Sequence, residues 1–241
     1  MDFWGTLLID GPRSDDGYRR ARLADIERIL AAAGMAVSRA ALERGYLQSA
    51  AYLRGIWSAH RDVPVEEHVR VILATANARL PARVSSAVMS ELVEAYARPA
   101  LVVPPAVDPA ALAVFQELGA GGYTLALVWN TMRTPGVTLR KLLAHYRVLP
   151  CFAHTTFSDE VGVRKPDPEI FALTLRAVGG EPATAVHVGD DNVLDVRGAR
   201  AAGMRAIQVT TAGPRPGAAQ PDAIIPGLAA LPATIVQLEG G

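Results

Sequence analysis

The 241-residue sequence has one cysteine, two lysines among 24 basic residues, few aromatics and no surplus charge of either sign. Each scarcity closes off a class of protein. A lone Cys151 cannot build an internal disulfide framework and fits a reducing compartment. Following Pro150 in apolar surroundings, with no partner motif, it reads as a small buried hydrophobe rather than a nucleophile. Acidic and basic residues balance at 24 each, so the basic excess of a dedicated nucleic-acid or anionic-membrane binder is missing. No apolar run approaches the ~18 residues of a membrane span, and the N-terminus lacks the charged segment and apolar stretch of a signal peptide. The expectation is a cytoplasmic protein without nucleic-acid or membrane partners. Lysine survives only at 141 and 165. Where nearly every other cation is Arg, a retained Lys165 suggests that a compact point charge is wanted there.

Half of the residues are hydrophobic, enough for one large domain or a core with a smaller partner. The organising stretch is the first, Met1-Asp2-Phe3-Trp4-Gly5-Thr6-Leu7-Leu8. A carboxylate, a bulky apolar pair and Gly-Thr read as a strand end breaking into a tight turn, the place where open α/β sheets put their chemistry. Three later segments belong with it: the apolar run Tyr123–Val128 ending in Trp129-Asn130-Thr131, the loop Ser158–Pro168 carrying Lys165, and Ala185–Val188 running into Gly189-Asp190-Asp191-Asn192-Val193-Leu194-Asp195.

Between these segments the pattern is regular. Apolar spacing predicts helices over Asp15–Ala33, stopped by Gly34, and from a cap at Ser38 through Trp57. Two more run from Pro64 to about Ala78 and from Ser85 to Tyr96. Four helices without an intervening strand make an all-α unit at residues 13–99. After Pro104-Pro105 the order switches to helix 108–118, strand 123–128, helix 135–146, strand 152–157, helix 168–179, strand 184–188, helix 192–202, strands 205–209 and 223–225, and helix 228–238. Strands alternating with helices imply parallel βαβ units. The expected fold is α/β, a Rossmann-like parallel sheet formed by 1–12 and 100–241 with the helical unit inserted.

In this order the four segments resemble the haloacid dehalogenase-like (HAD) hydrolases, whose motifs are D-x-D-G-T, a Ser or Thr closing a strand, a Lys, and G-D-x(3,4)-D. The resemblance implies that 13–99 is a helical cap, that Asp2 is a nucleophile paired with Lys165, and that Mg²⁺ is held by Asp2, the Trp4 carbonyl and Asp190. Asp191 or Asp195 would orient the metal's waters, although Asp191 can equally be a helix cap. Thr6 would fix the turn, and His187, inside an apolar strand, reads as a satisfied core histidine.

Two departures matter. Trp4 stands where HAD phosphatases carry a second Asp as general acid, and Trp129 where they carry the phosphoryl-binding Ser or Thr, leaving Asn130 and Thr131 as substitutes. The expected substrate is a small phosphorylated metabolite whose leaving group needs little protonation. A 2-haloacid dehalogenase acting on a halo-acid is the alternative, though such enzymes replace the acidic residues of the fourth motif. A catalytically impaired binding protein of the same fold is another. Arg19, Arg54, Trp57, His60, Arg61 and Arg133 are candidates for substrate contact, though each is more readily explained as an ordinary surface or packing residue.

Only Met1 precedes Asp2, so the sequence also suggests a truncated first core strand, with the true start upstream. A central strand typically has about five residues. On that reading the chain as written is poorly stable or inactive, and four to six upstream apolar residues restore both, as thermal melts and turnover of the two forms would show.

Overall fold

A computed structural model describes residues 1–9, 14–211, 213 and 217–240, the side chain of Ser14 excepted. The order opens with β1 (Leu8–Ile9), followed by helices α1 (Ser14–Ala32), α2 (Arg39–Ser58), α3 (Val65–Ala76), α4 (Leu80–Arg83), α5 (Ser86–Ala97) and α6 (Pro99–Val102). Then come β2 (Ala106–Val107), α7 (Ala111–Ala120), β3 (Ala126–Trp129), α8 (Gly136–His145), β4 (His154–Phe157), α9 (Ser158–Val161) and α10 (Pro168–Val178). The chain closes with β5 (Val186–Gly189), α11 (Gly198–Ala201), β6 (Arg205–Val209), β7 (Ala223–Ile225) and α12 (Leu231–Glu239).

The helical stretch holds together around its own apolar centre. Leu23, Ile26 and Leu30 of α1 recur at helical spacing and pack with Leu42 of α2, Ile72 and Leu73 of α3, and Leu92 and Tyr96 of α5. Ser38 and Ser85 cap α2 and α5, accepting hydrogen bonds from the Ala41 and Val88 amides. A second apolar centre joins Phe3 and Leu7 to Phe115 of α7, Leu127 of β3, Leu142 of α8, Phe157 of β4 and Ile207 of β6.

The strands form parallel pairs β3–β4 and β5–β6–β7. Residues 1–3 lie between β3 and β5 and stitch the two sets together. The Met1 α-amino group donates to the Ala126 carbonyl at 2.8 Å, the Val128 amide to the Met1 carbonyl at 2.9 Å, and the Asp2 amide to the Val188 carbonyl at 2.8 Å. Met1 and Asp2 thus satisfy backbone groups on both neighbours, where the sequence suggested lost ladder partners. The α-amino group is spent on Ala126 rather than on Asp2.

The expected elements recur with shifted ends. The strand expected at 123–128 runs Ala126–Trp129, and Asp108, the expected cap of a helix through Leu118, accepts from the Ala110 amide one turn before α7 begins. The helix expected at 192–202 starts as a π-turn, Asn192–Arg197, before α11. The antiparallel pair β1–β2 was not foreseen; two residues per strand leave no readable alternation. Residues 10–13, where the sequence set the first boundary of the helical unit, lie outside the described residues. Cys151 is half-buried against the second apolar centre rather than enclosed. No helix of the described residues is long and apolar enough to cross a membrane.

His68 of α3 is an anomaly in the helical unit. It is 1% exposed, its ring meets Tyr96 edge-on with centroids 6.0 Å apart, and neither ring nitrogen has a hydrogen-bond partner among the described residues. Burial, helped by the positive charges of Arg133 and Arg22, pushes its pKa down to about 3. A depressed folded-state pKa gives stability that is present above the unfolded value near 6.5 and lost as pH falls toward 3. In His68→Phe this acid-sensitive component should vanish: between pH 6.5 and 5, denaturant titrations should show the wild type losing about 2 kcal/mol more than the variant.

Candidate active site

Asp2 ends the extended segment between β3 and β5, and the chain turns sharply behind it. Gly5 makes that turn with φ +89°, a conformation L side chains rarely adopt, and a Cβ there would lie 2.5 Å from Asp190 Oδ2. Thr6 donates its hydroxyl to Asp2 Oδ2 at 3.1 Å. From the far side the Lys165 ammonium reaches Asp2 Oδ1 and, at 2.6 Å, Asp195 Oδ1. All three side chains are almost fully buried.

Asp195 is held from several directions. Its Oδ1 also receives His187 Nε2 at 2.8 Å, and its Oδ2 accepts the Asp191 amide at 3.0 Å. Gly189 permits this approach, since a Cβ there would fall 2.2 Å from Asp195 Cγ. Burial pushes the His187 ring down to about 3, so the neutral imidazole donates to the carboxylate. Burial alone would raise Asp195, yet the Lys165 ammonium and the His187 hydrogen bond hold it well below the usual carboxylate range. Asp2 behaves oppositely: burial, then the charge of Asp195, push it up to about 7 against the pull of Lys165. Burial also works against the charge of Lys165, but the two carboxylates hold its pKa above the ordinary value.

Carboxylate oxygens of Asp2, Asp190 and Asp195 all lie within 4.8 Å of one another. With Lys165 the cluster carries a formal charge of about −2 when all three acids are ionised, which a single divalent cation would balance. Hard oxygen donors suit Mg²⁺. Asp191 instead turns its Oδ1 to the Val193 and Leu194 amides at 2.9 and 2.8 Å, capping the π-turn.

The two departures occupy the approach to this cluster. The Trp4 and Trp129 rings lie 6.4 Å apart at 31°, and Lys165 Nζ stands 5.5 Å from the Trp129 centroid. Asn130 does not face the carboxylates with its amide free: its Nδ2 donates to the Lys165 carbonyl at 2.9 Å and its Oδ1 accepts the Lys165 amide at 2.7 Å. It clamps the lysine's backbone. Thr131 belongs to a separate buried network, donating to Asp62 Oδ2 at 3.2 Å and lying 3.0 Å from Ser158 Oγ.

That network, centred on Asp62, escaped the sequence reading. Asp62, between α2 and α3, receives Ser158 Oγ and Arg164 Nη1, each at 2.5 Å, on Oδ2 and Trp57 Nε1 at 3.0 Å on Oδ1. The Asp62 amide donates to the Gly162 carbonyl and the Arg164 amide to the His60 carbonyl, both at 3.0 Å. An antiparallel bridge Arg61–Val163 and the 2.7 Å ion pair Arg61–Asp167 flank them. His60 and Arg61 thus contact the Lys165 loop, and the Arg164 guanidinium lies 4.4 Å from the Trp57 centroid. No local motif announces such a network, because its members are up to 102 residues apart.

Above the tryptophans lies a cavity of about 780 Å³ between α1, α2 and the loop after β3, with Trp4, Gly5 and Trp129 on its wall beside the carboxylates. Arg19, Arg54, Trp57 and Arg133 line it too.

The sequence matches the haloacid dehalogenase-like hydrolases over residues 1–203. The chain belongs to that family. Among relatives of this HAD-like hydrolase, a phosphoserine phosphatase of Thermus thermophilus is 41% identical over 123 residues, covering 49% of this chain and 46% of that protein. A phospholysine phosphohistidine inorganic pyrophosphate phosphatase of Rattus norvegicus is 53% identical over 55 residues, 23% of this chain and 20% of that protein. The chain thus spans less than half the length of these curated relatives. In fold it is similar to a 2-haloacid dehalogenase from Pseudomonas syringae pv. Tomato DC3000, with TM-score 0.72 and 24% identity over 98% of this chain and 96% of the other. A HAD phosphatase from Thermococcus onnurineus gives 0.65 and 23% over 97% and 95%.

The Asp62 network makes a quantitative prediction. Removing one partner of a buried ion pair strands the other charge, at a cost of about 3–5 kcal/mol. Asp62→Ala should therefore lower the melting temperature by roughly 10 °C. A calorimetric melt within a degree or two of wild type would contradict a buried Arg164–Asp62 pair.

Proposed function

We propose that this HAD-like hydrolase is a Mg²⁺-dependent phosphatase acting on a small phosphorylated metabolite through an aspartyl-phosphate on Asp2. The observation that carries the reading is the three-carboxylate cluster of Asp2, Asp190 and Asp195, braced by one buried lysine. On this reading residues 13–99 are the cap, and residues 1–12 and 100–241 the core. The phosphatase names of the relatives in sequence support it.

Asp2 supplies the nucleophile. A carboxylate oxygen attacks phosphorus, the bond from phosphorus to the leaving oxygen breaks, and the electron pair leaves with that oxygen. Lys165 balances the charge that builds on the phosphoryl group and keeps Asp2 ionised. Thr6 holds the Asp2 carboxylate in place, Asn130 fixes the backbone of Lys165, and Asp195, backed by His187, fixes its ammonium. Water then attacks phosphorus, breaking its bond to Asp2 and releasing inorganic phosphate. Asp2, the Trp4 carbonyl and Asp190 would hold Mg²⁺, which when bound neutralises phosphoryl oxygens and favours the ionised form of Asp2. Asp195 is the orienting acid and Asp191 the helix cap.

Displacement of halide from a halo-acid is the second reading, favoured by Trp4 in place of an acid, since halide needs no proton. Against it stands the retained Asp190 beside Asp2 and Asp195, a donor set suited to a cation.

Phosphate release from phenyl phosphate should require Mg²⁺, stop on chelation and recover on its return. Asp2→Asn should lower kcat by at least about 10³-fold. Inert wild-type protein that instead frees halide from 2-haloacids would reverse the assignment. With no side-chain acid at position 4, acyl and aryl phosphates should outrun alkyl esters by about 10²–10⁴-fold in kcat/KM. Equal rates would mean that another group delivers the proton.

A further inference from the structure

Three arginines converge on one tyrosine in the wall of the cavity. The Arg133 guanidinium lies 4.0 Å from the Tyr46 ring centroid and that of Arg19 lies 6.0 Å from it, while Arg22 Nη1 donates to the Tyr46 hydroxyl at 3.5 Å. Tyr46 and all three arginines line the cavity. None of these guanidiniums has a carboxylate within ion-pair distance among the described residues. Arg22 is only 4% exposed, and its remaining acceptors are neutral: the Tyr96 carbonyl at 2.8 Å and Thr134 Oγ1 at 3.3 Å. Arg133 spends Nη1 on the Ser49 and Tyr96 hydroxyls and shows no acceptor at Nε or Nη2 among the described residues. Asp15 and Asp16, both exposed, also line this cavity.

Like charges gathered in partly desolvated surroundings repel and lose hydration, so such a cluster needs an anion to be favourable. Among the described residues the acids of this cavity are Asp15 and Asp16, and neither is within ion-pair distance of these guanidiniums. The other end of the same cavity touches the carboxylate cluster through Gly5, packed against Asp190, and Trp129, beside Lys165. A molecule whose phosphoryl group reaches Asp2 therefore extends past the paired tryptophans toward the arginines.

We propose that Arg19, Arg22 and Arg133 form a subsite for a second anionic group, carboxylate or phosphate, at the far end of the substrate from the phosphoryl group cleaved. The inference rests on the phosphatase reading of the Asp2 site for which end is cleaved, but the anion subsite can be measured without turnover. Arg133 is the discriminating contact, because its fork keeps donors to offer.

The test is calorimetric binding, with Mg²⁺ present, of non-hydrolysable phosphonates: alkyl phosphonates, ω-carboxyalkyl phosphonates of matched chain length, and alkane-1,ω-bisphosphonates. Wild-type protein should bind at least one doubly anionic series about tenfold or more tightly than the alkyl series at the best chain length, the expected size of a charge-assisted contact. Which series wins identifies carboxylate or phosphate as the distal group. Arg133→Met should erase the difference between series and Arg133→Lys should retain part of it. Equal affinities across the three series in wild-type protein, or a preference that survives in Arg133→Met, would overturn the proposal. Phenyl phosphate turnover is scored separately: its absence alongside a clear preference for two anions would reject the phosphatase reading and leave the subsite standing.

Discussion

One ammonium group shared by two buried carboxylates sets the terms for the rest of this molecule. Lys165 bridges Asp2 and Asp195 in surroundings that exclude water, where an unpaired charge would cost several kcal/mol. The fold therefore has to deliver three distant segments to one point. The extended residues 1–3 carry Asp2 between β3 and β5, the loop after α9 brings Lys165, and the π-turn after β5 brings Asp195. The local backbone bends to the same end, with the positive φ at Gly5 and the bare Cα of Gly189 admitting Asp190 and Asp195.

The pull on Asp2 and Asp195 is unequal, and this asymmetry has chemical meaning. Asp195 takes a lysine, a histidine and a backbone amide and is held ionised; Asp2 takes the same lysine and a single hydroxyl and is pushed up to about 7. An acid so poised has electron density to give once an additional positive charge arrives. The better-supported acid serves as a post against which the lysine is braced.

Much of this was legible in the sequence where chemistry is local. The helices from Asp15 to Tyr96 follow from apolar spacing and serine caps, and strand 205–209 from a bounded apolar run. Asp2, Lys165 and Asp190 stand out because carboxylates and a rare lysine follow strand ends. What stayed hidden depends on tertiary contact. The position of Asn130 and Thr131 after β3 suggests phosphate-binding substitutes, yet the side chain of one grips the lysine's backbone and the other joins Asp62. His187 looked like a satisfied core residue and is one, but what satisfies it is the brace of the lysine. The pairing of Asp62 with Arg164 spans a separation no periodicity can encode.

The bridge between Arg61 and Val163 ties the turn joining α2 and α3 to residues immediately before Lys165. Any hinge motion of the helical unit away from the sheet must therefore break that seam, removing Asp62 from Arg164 and tugging on the loop that presents the lysine. Access to the cavity and the position of the buried ammonium are in this way mechanically linked: the contacts that hold the α2–α3 turn in place also hold the loop that sets Lys165 against Asp2 and Asp195.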